Sequence, residues 1–356
     1  MPSLNDYRSE LVARLRGQTI EVPDLLLVFH GWTARKHPDA EDLGVELEAF
    51  YQLYLPTEKQ RIKARKADLA LCTSRFWCRV PKEKFLYLGQ LAAWIFIWDE
   101  EVDCGSLTND CDRTNAYVDD SIAFSRHHLQ VELNNSLPVP GRLHNCGPWV
   151  ELAKAMLVDQ TVTDRNRFAT ALYTFFEAVR RSSVQRSVAV QELDGYVERR
   201  AGNAATELCL TVLPWAYGLA LPSWIWGHEA TKRLVREVAV VASLYNDIVS
   251  LKKELDDNDV DSIIPILVHH QNISAQEASD IVVHMIKRSY RDFSEAANRL
   301  RAVISAGDNV LEEHVGIFID GCMDVMVGNV LFSIHTPRYS GLDLLEAEGY
   351  RFRVVL

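Results

Sequence analysis

The chain has 356 residues, 48% of them hydrophobic, and a formal net charge of −11 at pH 7. The hydrophobic fraction is typical of a globular protein that buries a substantial core. The negative charge argues against a nucleic-acid-binding protein, since proteins that bind phosphate backbones gather lysine and arginine on one face.

The cysteines and the N-terminal residues indicate where the protein works. The seven cysteines are scattered and show neither a CxxC pair nor zinc-finger spacing, which favours free thiols in a reducing compartment. Residues 1–19 mix charges of both signs and lack the apolar segment of a signal peptide. The longest strongly apolar run, residues 91–98, is too short to span a bilayer. We therefore expect a cytoplasmic protein without a membrane span.

Helical periodicity dominates the chain. Apolar residues recur every three or four positions, in chain order, at residues 43–54, 149–156, 168–179, 229–255, 275–302 and 310–335. Alternating apolar and polar residues are scarce, so no sheet is expected. Neither a repeat nor a shift in composition divides the chain. We predict an all-α fold with ten or more helices, formed by residues 1–356 as a single domain, in which facing helices would build any ligand site.

An acidic cluster follows directly after one of the apolar runs. If the helix continues through it, Asp99 and Asp103 lie one turn apart on one face, with Glu100 beside them. Like charges at this spacing repel, and a divalent cation such as Mg²⁺, which prefers carboxylate oxygens, would remove the repulsion. The apolar run before the cluster indicates a buried helix that delivers carboxylates to a cavity. For this cluster alone, a solvated helix end remains open.

A second polar pattern lies on the long helix predicted for residues 229–255. Asn246, Ser250 and Glu254 are spaced at i, i+4 and i+8, so they form one stripe along that helix. An amide oxygen, a hydroxyl and a carboxylate are a hard, all-oxygen set that suits Mg²⁺. Apolar residues at positions 240, 241, 244, 245, 248 and 249 crowd this helix on most sides, which favours a polar cavity over a stripe that faces solvent.

Together these residues resemble a known family, the class I terpene cyclases. Residues 246–254 resemble the second metal motif of these enzymes, (N/D)DxxSxxxE, and residues 99–103 resemble the first, DDxxD, with glutamate in the second place. Arg200 is similar in position to the arginine that senses diphosphate in the microbial enzymes, and Arg338-Tyr339 to their terminal RY pair. The four motifs stand in the order of the family and cover a core of about residues 38–340.

The resemblance implies a fold, a reaction and a set of residue roles. The family fold is a helical bundle with a central hydrophobic pocket. The implied reaction ionises a linear prenyl diphosphate, farnesyl diphosphate for a chain of this size, with three Mg²⁺ ions, and cyclises the carbocation to a sesquiterpene. Asp99 would bind metal, with lesser roles for Glu100 and Asp103, and a further Mg²⁺ would bind Asn246, Ser250 and Glu254. The residues expected to bind the diphosphate are Arg200, Lys253, Arg338 and Tyr339.

The resemblance also implies a pocket. Asn203 and Ala204 correspond to a helix break whose backbone carbonyl points toward the substrate, and Gly202 beside them has low helix propensity. Aromatic faces stabilise cations and exclude water. Phe96, one turn before Asp99, is the foremost aromatic candidate, followed by Phe76, Phe175, Phe176 and Phe332. Where relatives often carry tryptophan, this chain has Met326 and Phe332, so the family does not predict its product.

Three alternatives remain open at the level of sequence. A diterpene cyclase would use geranylgeranyl diphosphate. A chain-elongating prenyl transferase would need a second DDxxD motif, and the acidic residues 256–261 fail at Val260, so we interpret them as a solvated loop. A non-catalytic helical adaptor would leave Asp99 and Glu254 fully exposed. In every case we expect a monomer or homodimer that binds no nucleic acid.

Overall fold

The computed structural model of the chain describes residues 4–103, 105, 107, 110–131, 147–186, 192–193, 195–304, 308–339, 341–345 and 349–356. Its α-helices, in chain order, are α1 (Leu4–Leu15), α2 (Ala40–Tyr54), α3 (Glu58–Ala67), α4 (Leu69–Phe76), α5 (Lys82–Asp103), α6 (Cys111–Leu129), α7 (Gly147–Asp159), α8 (Val162–Arg186), α9 (Tyr196–Asn203), α10 (Thr206–Thr211), α11 (Leu213–Tyr217), α12 (Ser223–Gly227), α13 (Glu229–Asp256), α14 (Ile263–Gln271), α15 (Ala275–Ala302) and α16 (Asn309–His335). The predicted all-α fold is confirmed, and each stretch of helical periodicity lies within one of these helices.

The centre of the bundle is the long helix α13. It packs against α9, α15 and α16, and Val238, Val241 and Ile248 along it are fully buried. Helix α16 is also apolar, and by length and composition it could cross a membrane. However, 78% of its most apolar 18-residue window is buried inside the protein, as in a core helix.

Helix α5 runs through an aromatic part of the core. Trp94 and Trp98 are fully buried, with ring centroids 5.9 Å and 4.4 Å from that of Phe176 on α8. The indole of Trp98 also donates a 2.8 Å hydrogen bond to Ser121 Oγ on α6. These contacts hold the last turn of α5, with its acidic residues, against the neighbouring helices.

Helix α3 is short but fixed at both ends. At its start, Thr57 and Gln60 form a capping box, in which each side chain accepts a hydrogen bond from the other residue's backbone N–H. At its end, Asp68 adopts a left-handed conformation, and its side chain caps the first turn of α4. The side chains of α3 therefore start from a defined backbone.

The expectation that no sheet forms was wrong. Strands β1 (Thr19–Val22), β2 (Leu342–Leu344) and β3 (Phe352–Val355) make a small antiparallel sheet in the order β1-β3-β2. Each strand has only three or four residues, which is too short for period-two alternation to stand out. The β1–β3 pairing also joins the two ends of the described chain, and local sequence carries no signal for such a contact.

Candidate active site

A cavity of about 780 Å³ lies between α3, α5, α9 and α13. Its volume falls in the range of small-molecule binding sites. The predicted site residues that line it are Phe96, Asp99, Glu100, Arg200, Asn203, Asn246, Ser250, Lys253, Glu254, Arg338 and Tyr339. The structure therefore brings both acidic motifs and the four basic or phenolic candidates to one place.

Some predicted residues lie elsewhere. Phe76, Ala204 and Phe332 are not among the described residues that line the cavity, and Phe175 and Phe176 pack in the core around Trp98. Asp103 ends α5, but its side chain lies outside the described residues. Phe96 is thus the predicted pocket aromatic that faces the cavity.

The first motif occupies the last turn of α5. Asp99 and Glu100 are half-buried, not fully exposed as in an adaptor. Glu100 Oε1 lies 3.4 Å from Arg338 Nη2, and the other carboxylate oxygen pairs with Lys63 of α3. Carboxylates at the C-terminal end of a helix oppose its dipole by about 0.3–1 kcal/mol each. An acidic cluster at this end of α5 is therefore unfavourable for the helix itself, which indicates a functional site.

The second motif lies on the cavity face of α13. Ser250 Oγ is 2.7 Å from both the backbone oxygen of Asn246 and Glu254 Oε1. The other oxygen of Glu254 is buried and has no hydrogen-bond partner among the described residues. Burial, and then the nearby charge of Asp247, raise the pKa of Glu254 to about 7, although the Ser250 hydrogen bond lowers it. A bound cation would remove this penalty.

Arg200 is held by three polar partners. Its Nη2 donates to Asn246 Oδ1 at 2.7 Å, and its Nη1 donates to Asn203 Oδ1 at 3.0 Å. Its Nε donates to Asp247 Oδ1 at 2.9 Å. The guanidinium fork is therefore fixed at the junction of α9 and α13, directly beside the second motif.

Asp247 is a site residue to which sequence reasoning gave no role. Only 1% of it is exposed. Besides Arg200, it accepts hydrogen bonds from the Tyr196 hydroxyl at 2.6 Å and the Ile263 backbone N–H at 3.3 Å. Its two oxygens are thus occupied by protein donors, and it positions Arg200. The available signal was a carboxylate between the apolar residues Leu244, Tyr245, Ile248 and Val249, since a buried charge needs a partner.

The predicted helix break lies beside Arg200. Helix α9 ends at Asn203 and α10 begins at Thr206, and between them Ala205 has a φ of +55°. A left-handed conformation costs a non-glycine residue about 1–2 kcal/mol. Backbone strain of this kind is concentrated at functional sites.

Arg338 and Tyr339 bridge the two motifs. The Arg338 guanidinium stacks 4.7 Å from the ring centroid of Phe96 and reaches Glu100. The Tyr339 hydroxyl accepts a 2.6 Å hydrogen bond from Asn246 Nδ2. One residue of the pair therefore contacts α5 and the next contacts α13.

The acidic loop after α13 differs in part from its predicted character. Asp257 is exposed, as expected for a solvated loop, although it lines the cavity together with Asp259 and Asp261. Asp261 is not solvated: its side chain is 8% exposed and forms a 3.1 Å ion pair with Arg8 of α1. The interpretation as a solvated loop was therefore wrong for Asp261. The partner lies near the other end of the chain, where local sequence gives no signal.

The oxygen donors of α13 fit a hard divalent cation. Asn246, Ser250 and Glu254 face one cavity, and the buried, unpaired oxygen of Glu254 lacks the positive partner that a carboxylate needs. Among the described residues, no three carboxylate, histidine or cysteine side chains form a metal site by themselves. A cation here would therefore be held by mixed amide, hydroxyl and carboxylate oxygens, completed by water or phosphate.

The fold is that of the class I terpene synthases. A solved structure of hedycaryol synthase superimposes with a TM-score of 0.73 at 18% identity, over 88% of this chain and 98% of that one. A family model described as terpene synthase family 2, C-terminal metal binding, matches residues 90–292. This match spans more than half of the chain, which therefore belongs to that family, the fungal-type terpene cyclases.

Full-length relatives agree with this membership. The sesquiterpene cyclase hepA of Aspergillus oryzae is 27% identical over 355 residues, covering 96% of this chain and 95% of that protein. The terpene cyclase braA of Annulohypoxylon truncatum is 24% identical over 346 residues, covering 94% and 89%. The protein is accordingly an enzyme, a terpene synthase whose family carries a metal-binding domain.

Proposed function

We propose that the enzyme ionises farnesyl diphosphate with Mg²⁺ and cyclises the carbocation to a sesquiterpene, with release of diphosphate. One observation carries the proposal: two oxygen-rich motifs and the basic residues Arg200, Lys253 and Arg338 line a single cavity with Phe96. Such a set suits a substrate that has an anionic head and an apolar chain. The name of the relative in Aspergillus oryzae, a sesquiterpene cyclase, supports the fifteen-carbon substrate.

In this proposal, the metal sites lie at the ends of two helices. Asp99 on α5, with Glu100 and Asp103 in lesser roles, would hold Mg²⁺ on one wall, and the α13 stripe would hold Mg²⁺ on the other. Three ions are proposed, as in the family that the motifs resemble. Bound Mg²⁺ would supply Lewis-acid stabilisation of the negative charge on the departing diphosphate.

The remaining site residues would orient and stabilise the leaving group. Arg200 and Arg338 present guanidinium donors from α9 and from the segment after α16, and Lys253 and Tyr339 add an ammonium and a hydroxyl. Preformed donors that face developing charge lower the barrier without reorganisation. The face of Phe96, close to both Asp99 and Arg338, would stabilise the allylic cation and exclude water.

Product analysis tests this proposal. The purified chain, incubated with C10, C15 or C20 prenyl diphosphates and Mg²⁺, is expected to release a cyclic C15 hydrocarbon or alcohol, detected by gas chromatography. Asn246→Ala and Glu254→Ala should abolish turnover and retain helical circular dichroism. Near-normal yield from either variant would contradict the metal assignment. A preference for the C20 substrate would instead identify a diterpene cyclase.

Two controls separate the remaining alternatives. A chain-elongating prenyl transferase would form product only when isopentenyl diphosphate is added. A non-catalytic adaptor would show no rise in melting temperature with Mg²⁺ and inorganic diphosphate, whereas a ligand that binds only the folded enzyme must raise it.

The proposed place of action is the cytoplasm. Among the described residues, Cys72, Cys78, Cys111, Cys209 and Cys322 are free thiols, which supports a reducing compartment. The oligomeric state remains as predicted, a monomer or homodimer.

A further inference from the structure

Helix α3, which has no part in the motifs of the sequence, forms one wall of the cavity. Lys59, Gln60, Lys63 and Ala64 of this helix line it. The two lysines are one turn apart and therefore on one face of the helix. Because the charged residues among them are both lysines, the charge that α3 contributes to the cavity is positive. The acidic residues of the two motifs come from α5 and α13.

The other basic residues of α3 that bind carboxylates, Arg61 and Arg65, do not line the cavity. Arg61 donates to Glu58 at 2.9 Å and to the Leu55 backbone oxygen at 2.7 Å. Arg65 forms ion pairs of 2.7 Å with both Glu48 and Glu58. Both guanidinium groups are neutralised by glutamates, and neither arginine lines the cavity. Lys59 and Lys63 line the cavity instead.

The two lysines have fewer carboxylates than charges. Lys63 pairs with Glu100, which also pairs with Arg338, so two cations share a single carboxylate. Lys59 has no carboxylate partner among the described residues. Positive charge on this wall of the cavity attracts an anionic ligand and raises its local concentration.

We propose that Lys59 and Lys63 bind the diphosphate group of the substrate from the α3 side of the cavity. This inference rests on the proposed function, because it assigns further contacts to the same ligand. The Lys63 side chain is 42% exposed, so its flexible stem can turn its ammonium from Glu100 to a phosphate oxygen. The caps at Thr57 and Asp68 hold the helix beneath it in place.

Direct binding of inorganic diphosphate tests the assignment. Calorimetry in Mg²⁺ on the full chain should show about threefold weaker binding for Lys59→Met or Lys63→Met and about tenfold weaker binding for the double variant, typical of partly exposed charge-assisted contacts. Lys63→Arg should restore most of the affinity. Lys66→Met is the matched control, since Lys66 lies on the same helix but does not line the cavity, and its binding should stay within about twofold of wild type.

Two results would overturn the inference. Wild-type affinity in the double variant would show that the lysines do not touch the ligand, provided the wild-type chain binds diphosphate. An equal loss in Lys66→Met would show that only the net charge of α3 matters. If the wild-type chain itself fails to bind diphosphate in Mg²⁺, the proposed function fails as a whole, and this outcome is distinct from the other two. Unchanged melting temperatures confirm that the variants fold.

Discussion

At the scale of single residues, Asp247 shows how the second motif depends on a side chain whose two oxygens are occupied by protein donors. Its carboxylate joins Arg200, Tyr196 and the backbone of Ile263 at the start of α14. Burial, and the nearby negative charge of Asp247, raise the pKa of Tyr196 well above its usual range, so this hydroxyl remains a donor. The position of Arg200 relative to Asn246 is therefore fixed by a buried acid between them.

Replacing Asp247 should disturb both folding and ligand binding. Asp247→Asn leaves Arg200 without its charge partner, and breaking a buried pair costs about 3 kcal/mol. We expect a lower urea midpoint and weaker diphosphate binding. Tyr196→Phe is the control, because it removes one neutral hydroxyl and should cost only about 1 kcal/mol. Equal stabilities for the two variants would contradict the charge-pair argument.

The raised pKa of Glu254 predicts how the stability of the metal-free protein changes with pH. Its pKa of about 7 lies above the usual glutamate value of 4.5, so between these two pH values the folded, metal-free protein holds the protonated acid. The stability that this provides is present below pH 4.5 and is lost as the pH rises through 7. Glu254→Gln stays neutral, and without metal its free energy of unfolding should exceed that of wild type by about 3 kcal/mol at pH 8. Urea unfolding in chelator from pH 5 to 8 measures the difference, and a gap that widens toward pH 5 would refute it.

At the scale of elements, sequence reasoning succeeded where a pattern was long and local. The periodicity of α13 and the apolar run of α5 predicted both helices, and the order of the motifs predicted the meeting of Asp99 with Asn246 in one cavity. It gave no role to α3, because its lysines have the sequence pattern of ordinary surface residues. Tertiary packing places both of them in the cavity lining and Lys63 beside Glu100. It missed the sheet for a similar reason, since β1 pairs with a strand at the far end of the chain.

The anchoring of helix α5 by Trp98 can be tested by substitution. Trp98 holds the helix against α6 and α8 through stacking on Tyr117 and contact with Phe176. Trp98→Ala should lower the free energy of unfolding by about 3–5 kcal/mol. It should also weaken Mg²⁺-dependent diphosphate binding, because Asp99 follows directly. Trp98→Phe keeps a ring and should lose less of both. Intact binding in a destabilised Trp98→Ala variant would show that α5 does not need this anchor to deliver its carboxylates.

At the scale of the whole molecule, the two ends of the chain support the cavity from outside. Strand β3 pairs with β1, and Lys252, next to Lys253, donates a 3.0 Å hydrogen bond to the Val355 backbone oxygen. Near the other end, Arg8 holds Asp261. Contacts distant in sequence thus hold Lys252, next to the cavity residue Lys253, and Asp261, which lines the cavity.

Removing residues 349–356 tests this arrangement. The deletion takes away Phe352 and Val354, each 1% exposed, whose burial stabilises the fold by about 3–4 kcal/mol together. We expect a melting temperature lowered by several degrees and helical circular dichroism close to wild type. A shortened chain that melts like wild type would contradict a structural role for the sheet.

The Arg338-Tyr339 pair also limits how far α5 and α13 can separate. Adjacent Cα atoms are about 3.8 Å apart, so the contact of Arg338 with α5 and the contact of Tyr339 with α13 start from backbone positions at a fixed separation. If these helices separate to admit a substrate, either the Arg338–Glu100 contact or the Tyr339–Asn246 hydrogen bond must break. In the proposed function the same two side chains contact the diphosphate, so opening of the entrance and binding of the anion would be coupled in one movement.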